Sequence, residues 1–265
     1  MQLSRSSAVV PRLTVLEHAG STNDELVRAA TGADAASWPE LSVIVTDDQR
    51  SGRGRLGRTW SAPAGTSLAV SVLLRPEAAA DAAGSGLSVD SLGWIPLLAG
   101  LAMTRAVRGL GVDATLKWPN DVMVDGKKLC GILSELLPGA TGVVVGAGLN
   151  VSIGSDQLPV DTATSLALSG VVDPDPDAAL AAYLTHLQTL YRGFVAAGGD
   201  AEASGLRRDV ASVCDTVGRA VRVQLPTGEP LLGTAIGLDE LGRLIVDTGG
   251  SPRVVAAGDV THLRY

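Results

Sequence analysis

The chain has few of the residues that most often announce a chemistry. Two cysteines, Cys130 and Cys214, lie far apart in 265 residues, which excludes a disulfide framework and a thiolate zinc pattern. The three histidines, His18, His186 and His262, are scattered, so neither a histidine metal cluster nor a Ser-His-Asp triad is supported and no protein metal site is expected. No apolar run is long enough to span a bilayer, and Met1–Leu13 lacks the apolar stretch of a signal peptide. The expected setting is therefore the reducing cytoplasm, with no membrane partner. Positive charge is short as well: 21 Lys and Arg against 28 Asp and Glu leave a net charge of −7. Broad nucleic-acid binding needs a basic field and is disfavoured. The scarcity of aromatics, with alanine and glycine abundant, is composition bias rather than information about fold.

Against this acidic background stands GRGRLGRTW, Gly52–Trp60, with Arg50 just upstream. Like charges so close repel, and the glycines supply no regular structure to hold them. Guanidinium groups hold phosphate and carboxylate in bidentate fashion, and backbone N–H groups freed by glycine add donors. Gly52, Gly54 and Gly57 let the backbone approach a ligand closely. The alternative is a solvated basic turn with no role. The strong strand before the loop, LSVIVTDDQ, and Trp60 after it favour a site for a small anion, because Trp60 can pack on a flat ring or close the loop.

Other stretches carry weaker signals. KWPNDV, Lys117–Val122, ends a strand at a Pro-Asn turn, where Lys117 could point into a cleft. GKKLCGILSE follows at once and brings Lys127 and Lys128 beside the first lysine. STN, Ser21–Asn23, is either a plain helix cap or a trio of neutral hydrogen-bonding groups suited to a polar, uncharged head group; Thr22 and Glu25 have the spacing of a capping box. GAGLN, Gly146–Asn150, is not a dinucleotide fingerprint, since Val151 takes the third glycine's place and no helix follows. Its glycines serve either close strand packing or a ligand. A P-loop is also missing.

The pattern along the chain predicts an α+β fold. Strands are expected at LTVLEHAG, LSVIVTDDQ, SLAVSVLLRP and TGVVVGAGLNVSI, and a hairpin turning at Asp125-Gly126 within TLKWPNDVMVDGKKLCGILSELL. STNDELVRAA, WIPLLAGLAMTRAVRGLG, DAALAAYLTHLQTLYRGFVAAGG and AEASGLRRDVASV read as helices. Residues 77–86 read as an exposed loop. From about Val217 the texture changes to short strands split by turn signals, so a body of residues 1–216 followed by a small β-barrel over 217–265 is expected.

Taken together, GSTN, DDQRSGRGRLGRTW, KWPNDV, GKKLCGILSE and GAGLNV resemble, in order and spacing, the biotin protein ligases. The resemblance runs from about Leu13 to Val151, and the tail is similar to the family's SH3-like barrel. It implies a mixed-sheet catalytic domain with flanking helices that joins biotin and ATP into biotinoyl-AMP. Biotin then passes to a lysine of a biotin carboxyl carrier domain of acyl-CoA or pyruvate carboxylases. Ser21, Thr22, Asn23 and Gln49 would contact the biotin rings. Arg53, Gly54 and Arg55 would fold over biotin and the adenylate. Lys117 would reach the biotin carboxylate and the α-phosphate. Arg55, Arg58, Trp60, Asn120, Lys128 and Asn150 would serve the ATP side, with Mg2+ on the phosphates. Arg55 and Lys117 would be the catalytic pair. Some members carry an N-terminal DNA-binding domain; only about a dozen residues precede the matched region here, so DNA binding is not expected. Some members carry a carboxylate seven residues before the motif lysine; here that position is Leu110, and the general base stays unassigned. Lipoate ligation and non-catalytic biotin or nucleotide sensing are the competing readings, with a nucleic-acid-binding barrel ranked last.

Overall fold

The computed structural model describes residues 1–76 and 87–263; the stretch read as an exposed loop, residues 77–86, lies outside them. The body runs α1 (Ser4–Val9), β1 (Leu13–Val15), α2 (Thr22–Thr31), β2 (Val43–Thr46), a two-stranded ribbon of β3 (Gly52–Arg53) and β4 (Thr59–Trp60), then β5 (Ser67–Leu74) and α3 (Ile95–Gly109). It continues through β6 (Ala114–Lys117), β7 (Asp121–Val124), β8 (Lys127–Leu136), β9 (Val143–Asn150), α4 (Pro176–Ala196) and α5 (Leu206–Val213). Seven strands form one sheet in the order β1-β2-β5-β9-β8-β7-β6, with β1 parallel to β2 and the other pairs antiparallel. The tail folds as β10 (Ala220–Gln224), β11 (Leu231–Leu238), β12 (Leu244–Asp247), β13 (Arg253–Val255) and β14 (Asp259–His262), a five-stranded antiparallel sheet.

Side-chain size alternates along the central strands, and this alternation shapes the molecule. Strand residues point to opposite faces with period two. On β5, Val70, Val72 and Leu74 enter the main core; on β9, Val143, Val145, Ala147 and Leu149 do the same. There they meet the apolar sides of α3 and α4, including Ile95, Leu98, Leu180, Tyr183 and Leu187. The opposite face carries Leu73 and Val144 at one end, covered by Leu26 and Ala30 of α2. Next along that face come Ala69 and Ser71 on β5 and Gly146 and Gly148 on β9, paired as Ala69↔Gly148 and Ser71↔Gly146. Large residues thus build the core, and small ones hollow out a cleft on the other face.

The turns follow the residues that permit them. Asp125 and Gly126 both adopt positive φ, 49° and 73°, as a two-residue hairpin turn demands. Pro119, after a cis peptide bond, separates β6 from β7, and these strands pair through Lys117↔Asp121. Two tryptophans fasten the tail to the body. Trp94 Nε1 donates to the Glu240 carbonyl at 2.8 Å, and Trp118 Nε1 to the Gly242 carbonyl at 3.0 Å. Gly242 has φ 77°, and a Cβ there would lie 3.2 Å from the Trp94 ring, so glycine suits this docking point on both counts.

Three expectations change in detail. α2 is capped by Ser21, whose Oγ accepts from the Asp24 N–H at 3.4 Å, and not by a Thr22–Glu25 capping box. Thr22 is already inside the helix, with its hydroxyl turned toward the sheet. The strand expected over Leu13–Gly20 is three residues long. Helix α1 was not anticipated; it is short, and the buried Asp177 anchors it by accepting from the backbone N–H groups of Arg5 and Ser6, both at 2.9 Å.

Candidate active site

The hollow face opens into a cleft. Its wall includes Ser21, Thr22, Asn23, Gln49, Arg53, Gly54, Arg55, Arg58, Trp60, Asn120 and Lys128. These are all the expected site residues except Lys117 and Asn150. Residues from α2, the arginine ribbon and the KWPN turn therefore converge on one face of the sheet.

GAGLN has a packing explanation. A Cβ on Gly146 would sit 2.5 Å from Asn23 Oδ1, and one on Gly148 would sit 2.6 Å from Trp60 Cε2. Two holes in β9 receive two side chains expected to meet ligands. Their glycines act through those side chains and not as a nucleotide-binding loop.

The end of the cleft beside α2 is polar and closely bonded. The Thr22 N–H donates to Gln49 Oε1 at 2.8 Å, and Asn23 Nδ2 donates to Glu135 Oε2 at 2.6 Å. Ser21, Thr22 and Asn23 are all buried. Buried groups that still present hydrogen-bonding atoms to a cleft suit a polar, uncharged ring better than an ion.

The arginine ribbon brackets the other end. It closes through Gly54 N–H to the Arg58 carbonyl at 2.6 Å, with Gly57 at φ 73°. Acidic side chains meet several of its cations. Arg53 pairs with Asp24 and, at 3.0 Å, with Glu135. Arg58 pairs with Asp259 of the tail, and Lys128 pairs with Asp121 at 2.6 Å. Arg50 turns away from the cleft wall and binds Asp48 at 2.8 Å.

Arg55 and Lys117 differ from these. Among the described residues neither has a carboxylate within 4.0 Å ion-pair distance; Arg55 Nη1 donates to Asn120 Oδ1 at 3.2 Å. Both are partly buried, and burial lowers both pKa values, opposed by the nearby Asp121 carboxylate. Arg58 repels each of them, and Lys128 also repels Lys117. Lys117 lies off the cleft wall, beside its cross-strand partner Asp121. The two thus share one charge neighbourhood, around Asp121, with no direct ion pair to either.

Asn150 is placed differently. It is buried, and its Nδ2 donates to the Thr164 carbonyl at 2.8 Å. Sequence reasoning also missed cleft-side acids. Asp24, Asp121, Glu135 and Asp259 come from α2, the KWPND turn, β8 and the tail, and only the fold brings them to the cations. His262 was left without a role; its Nε2 lies 3.1 Å from Thr216 Oγ1, which also accepts the Trp118 N–H at 3.0 Å. This links the tail to the turn that follows Lys117.

A hydrogen-bonding pocket lined by Arg55, with Lys117 just off its wall and neither cation in a direct ion pair, defines a class: a small-molecule cleft suited to a ligand with a polar, uncharged head and an anionic end. Comparison with known proteins agrees. Residues 19–151 match the biotin/lipoate A/B protein ligase family, and residues 216–263 match the biotin protein ligase C-terminal domain. The chain is 39% identical over 258 residues to a biotin–[acetyl-CoA-carboxylase] ligase of Mycobacterium tuberculosis, covering 96% of this chain and 90% of that protein. It is 27% identical over 229 residues to the bifunctional ligase/repressor BirA of Bacillus subtilis, spanning 66% of that protein's length. Among solved structures it is similar to the Aquifex aeolicus biotin protein ligase in complex with biotin and ATP, with TM-score 0.76 and 25% identity over 96% of this chain and all of that one. The chain belongs to the biotin/lipoate A/B protein ligase family.

Proposed function

We propose that this protein is an ATP-dependent biotin protein ligase. It joins biotin and ATP into biotinoyl-5′-AMP, releases pyrophosphate, and transfers biotin to a lysine of a biotin carboxyl carrier domain. The observation that carries this reading is the pairing of a neutral head-group pocket with the uncompensated Arg55 and Lys117. The C-terminal match and the Mycobacterium tuberculosis relative favour biotin over lipoate.

The chemistry follows from charge. The first step brings a carboxylate onto an anionic α-phosphorus. Two unit charges about 4 Å apart repel by roughly 4 kcal/mol at an effective dielectric of 20, about three powers of ten in rate. Arg55 and Lys117 reduce that repulsion, and they strengthen as water leaves the cleft. Arg53 and Gly54 cover the adenylate, which protects a reactive anhydride from water. Arg58, Trp60, Asn120 and Lys128 serve the nucleotide. No group of three metal-ligating side chains occurs among the described residues. Mg2+ would be held chiefly by the nucleotide's own phosphates, with Asp121 and Asp259 the carboxylates on the cleft wall, and would supply charge neutralisation there.

The acetyl-CoA carboxylase carrier domain is the expected acceptor, with pyruvate carboxylase a second. None of the described helices is long and apolar enough to cross a membrane. We place the protein's work in the cytoplasm. The test is ATP–pyrophosphate exchange with biotin, with lipoate and with neither, followed by transfer to a carrier domain. Exchange that needs biotin, with transfer, is expected; exchange driven by lipoate, or binding without exchange, would overturn the proposal.

A further inference from the structure

The trio that reads the head group is itself held from beneath. Ser71 of β5 is fully buried and does not line the cleft. Its hydroxyl lies 2.6 Å from Asn23 Oδ1 and 2.8 Å from Thr22 Oγ1. An amide oxygen carries no proton, so Ser71 donates to Asn23, and the single Thr22 hydroxyl proton is shared between Ser71 and Gln49 Oε1, 3.2 Å away. On the other side the Asn23 Nδ2 is committed twice, to Glu135 Oε2 at 2.6 Å and to the Leu133 carbonyl at 3.3 Å. Gly146, cross-strand from Ser71, leaves the space this amide occupies.

The two ends of an asparagine amide have nearly the same shape, and only their partners decide which way it faces. We infer that Ser71 and Glu135 are positioning residues that lock the Asn23 amide, carbonyl toward β5 and NH2 toward β8, and so set the hydrogen-bonding pattern that biotin meets. The same Glu135 carboxylate also pairs with Arg53 at 3.0 Å, so the residue that orients the reader also tethers the ribbon that covers it. This rests on the cleft being the biotin site.

The test uses the full chain and measures biotin-dependent exchange. Ser71→Ala removes the donor to Asn23 Oδ1 and leaves a buried oxygen unpaired; the acceptors Glu135 and the Leu133 carbonyl still tell the two amide ends apart. It should raise the KM for biotin roughly ten- to hundredfold, with the KM for ATP and the rate at saturating biotin within about threefold of the parent. Glu135→Ala, at a partly exposed position, should raise the biotin KM as well and, because it also releases Arg53, lower the rate at saturating biotin; Glu135→Gln, which keeps an acceptor for Asn23, should recover most of the loss in biotin KM. An unchanged biotin KM in Ser71→Ala, or biotin and ATP KM values rising together, would overturn the inference. Absence of biotin-dependent exchange in the parent protein would instead refute the proposed function.

Discussion

Arg55→Met tests whether the uncompensated cation is there for chemistry or for the fold. Methionine keeps much of the length and apolar surface of arginine and removes the charge. Arg55 is partly buried, burial lowers its pKa, and among the described residues no carboxylate lies within ion-pair distance. Its charge is therefore a cost in the free protein. Relieving it, less the screening by solvent and the lost bond to Asn120, should stabilise the fold by at most about 1 kcal/mol, no more than roughly 2–4 °C in Tm for a chain of this size. The activation step should move the other way. Loss of one cation facing the two anions removes up to about 4 kcal/mol; with Lys117, Arg58 and Mg2+ still present, a fall of about two to three powers of ten in biotin-dependent exchange is expected. Thermal unfolding and exchange on the same preparation provide both numbers. A variant that is less stable and exchanges at the parent rate would refute the reasoning, because Arg55 would then be structural.

Three further outcomes follow from the same geometry. Lys117→Ala should slow adenylate formation by about two powers of ten while changing biotin binding severalfold at most, as measured by single-turnover quench and calorimetry. Because burial holds the Lys117 pKa below that of an ordinary lysine, its charged form is lost at lower pH than in solution; exchange should fall as pH rises through that value, and Lys117→Arg should move the fall to higher pH. Gly148→Ala places a Cβ 2.6 Å from the Trp60 ring, so it should displace Trp60 and raise the KM for ATP about tenfold, read by exchange and by tryptophan fluorescence.

The fold was largely legible where residue type alone dictates local geometry. The Asp125-Gly126 hairpin, the β9 strand and helices α3 and α4 lie where period and turn chemistry place them. Helix α1 escaped because six residues carry little periodicity and its anchor, Asp177, lies about 170 residues away. The cations of the site were visible because arginine on a glycine-rich loop is an expensive arrangement without a ligand. Their counter-ions were not: nothing local links Arg53 to Glu135 or Arg58 to Asp259. The same holds for Ser71, an unremarkable strand serine until the register sets it opposite Gly146. Asn150, singled out by its motif position, is buried and bonds the Thr164 carbonyl, a contact nothing local in the sequence announces.

The most direct test is a crystal structure with a non-hydrolysable biotinoyl-adenylate analogue. It should show the Arg55 guanidinium and the Lys117 ammonium both within hydrogen-bonding distance of the linkage between the biotin carboxyl and the α-phosphate. A complex in which either cation stays turned from that linkage, with the analogue neutralised by other residues, would contradict the account.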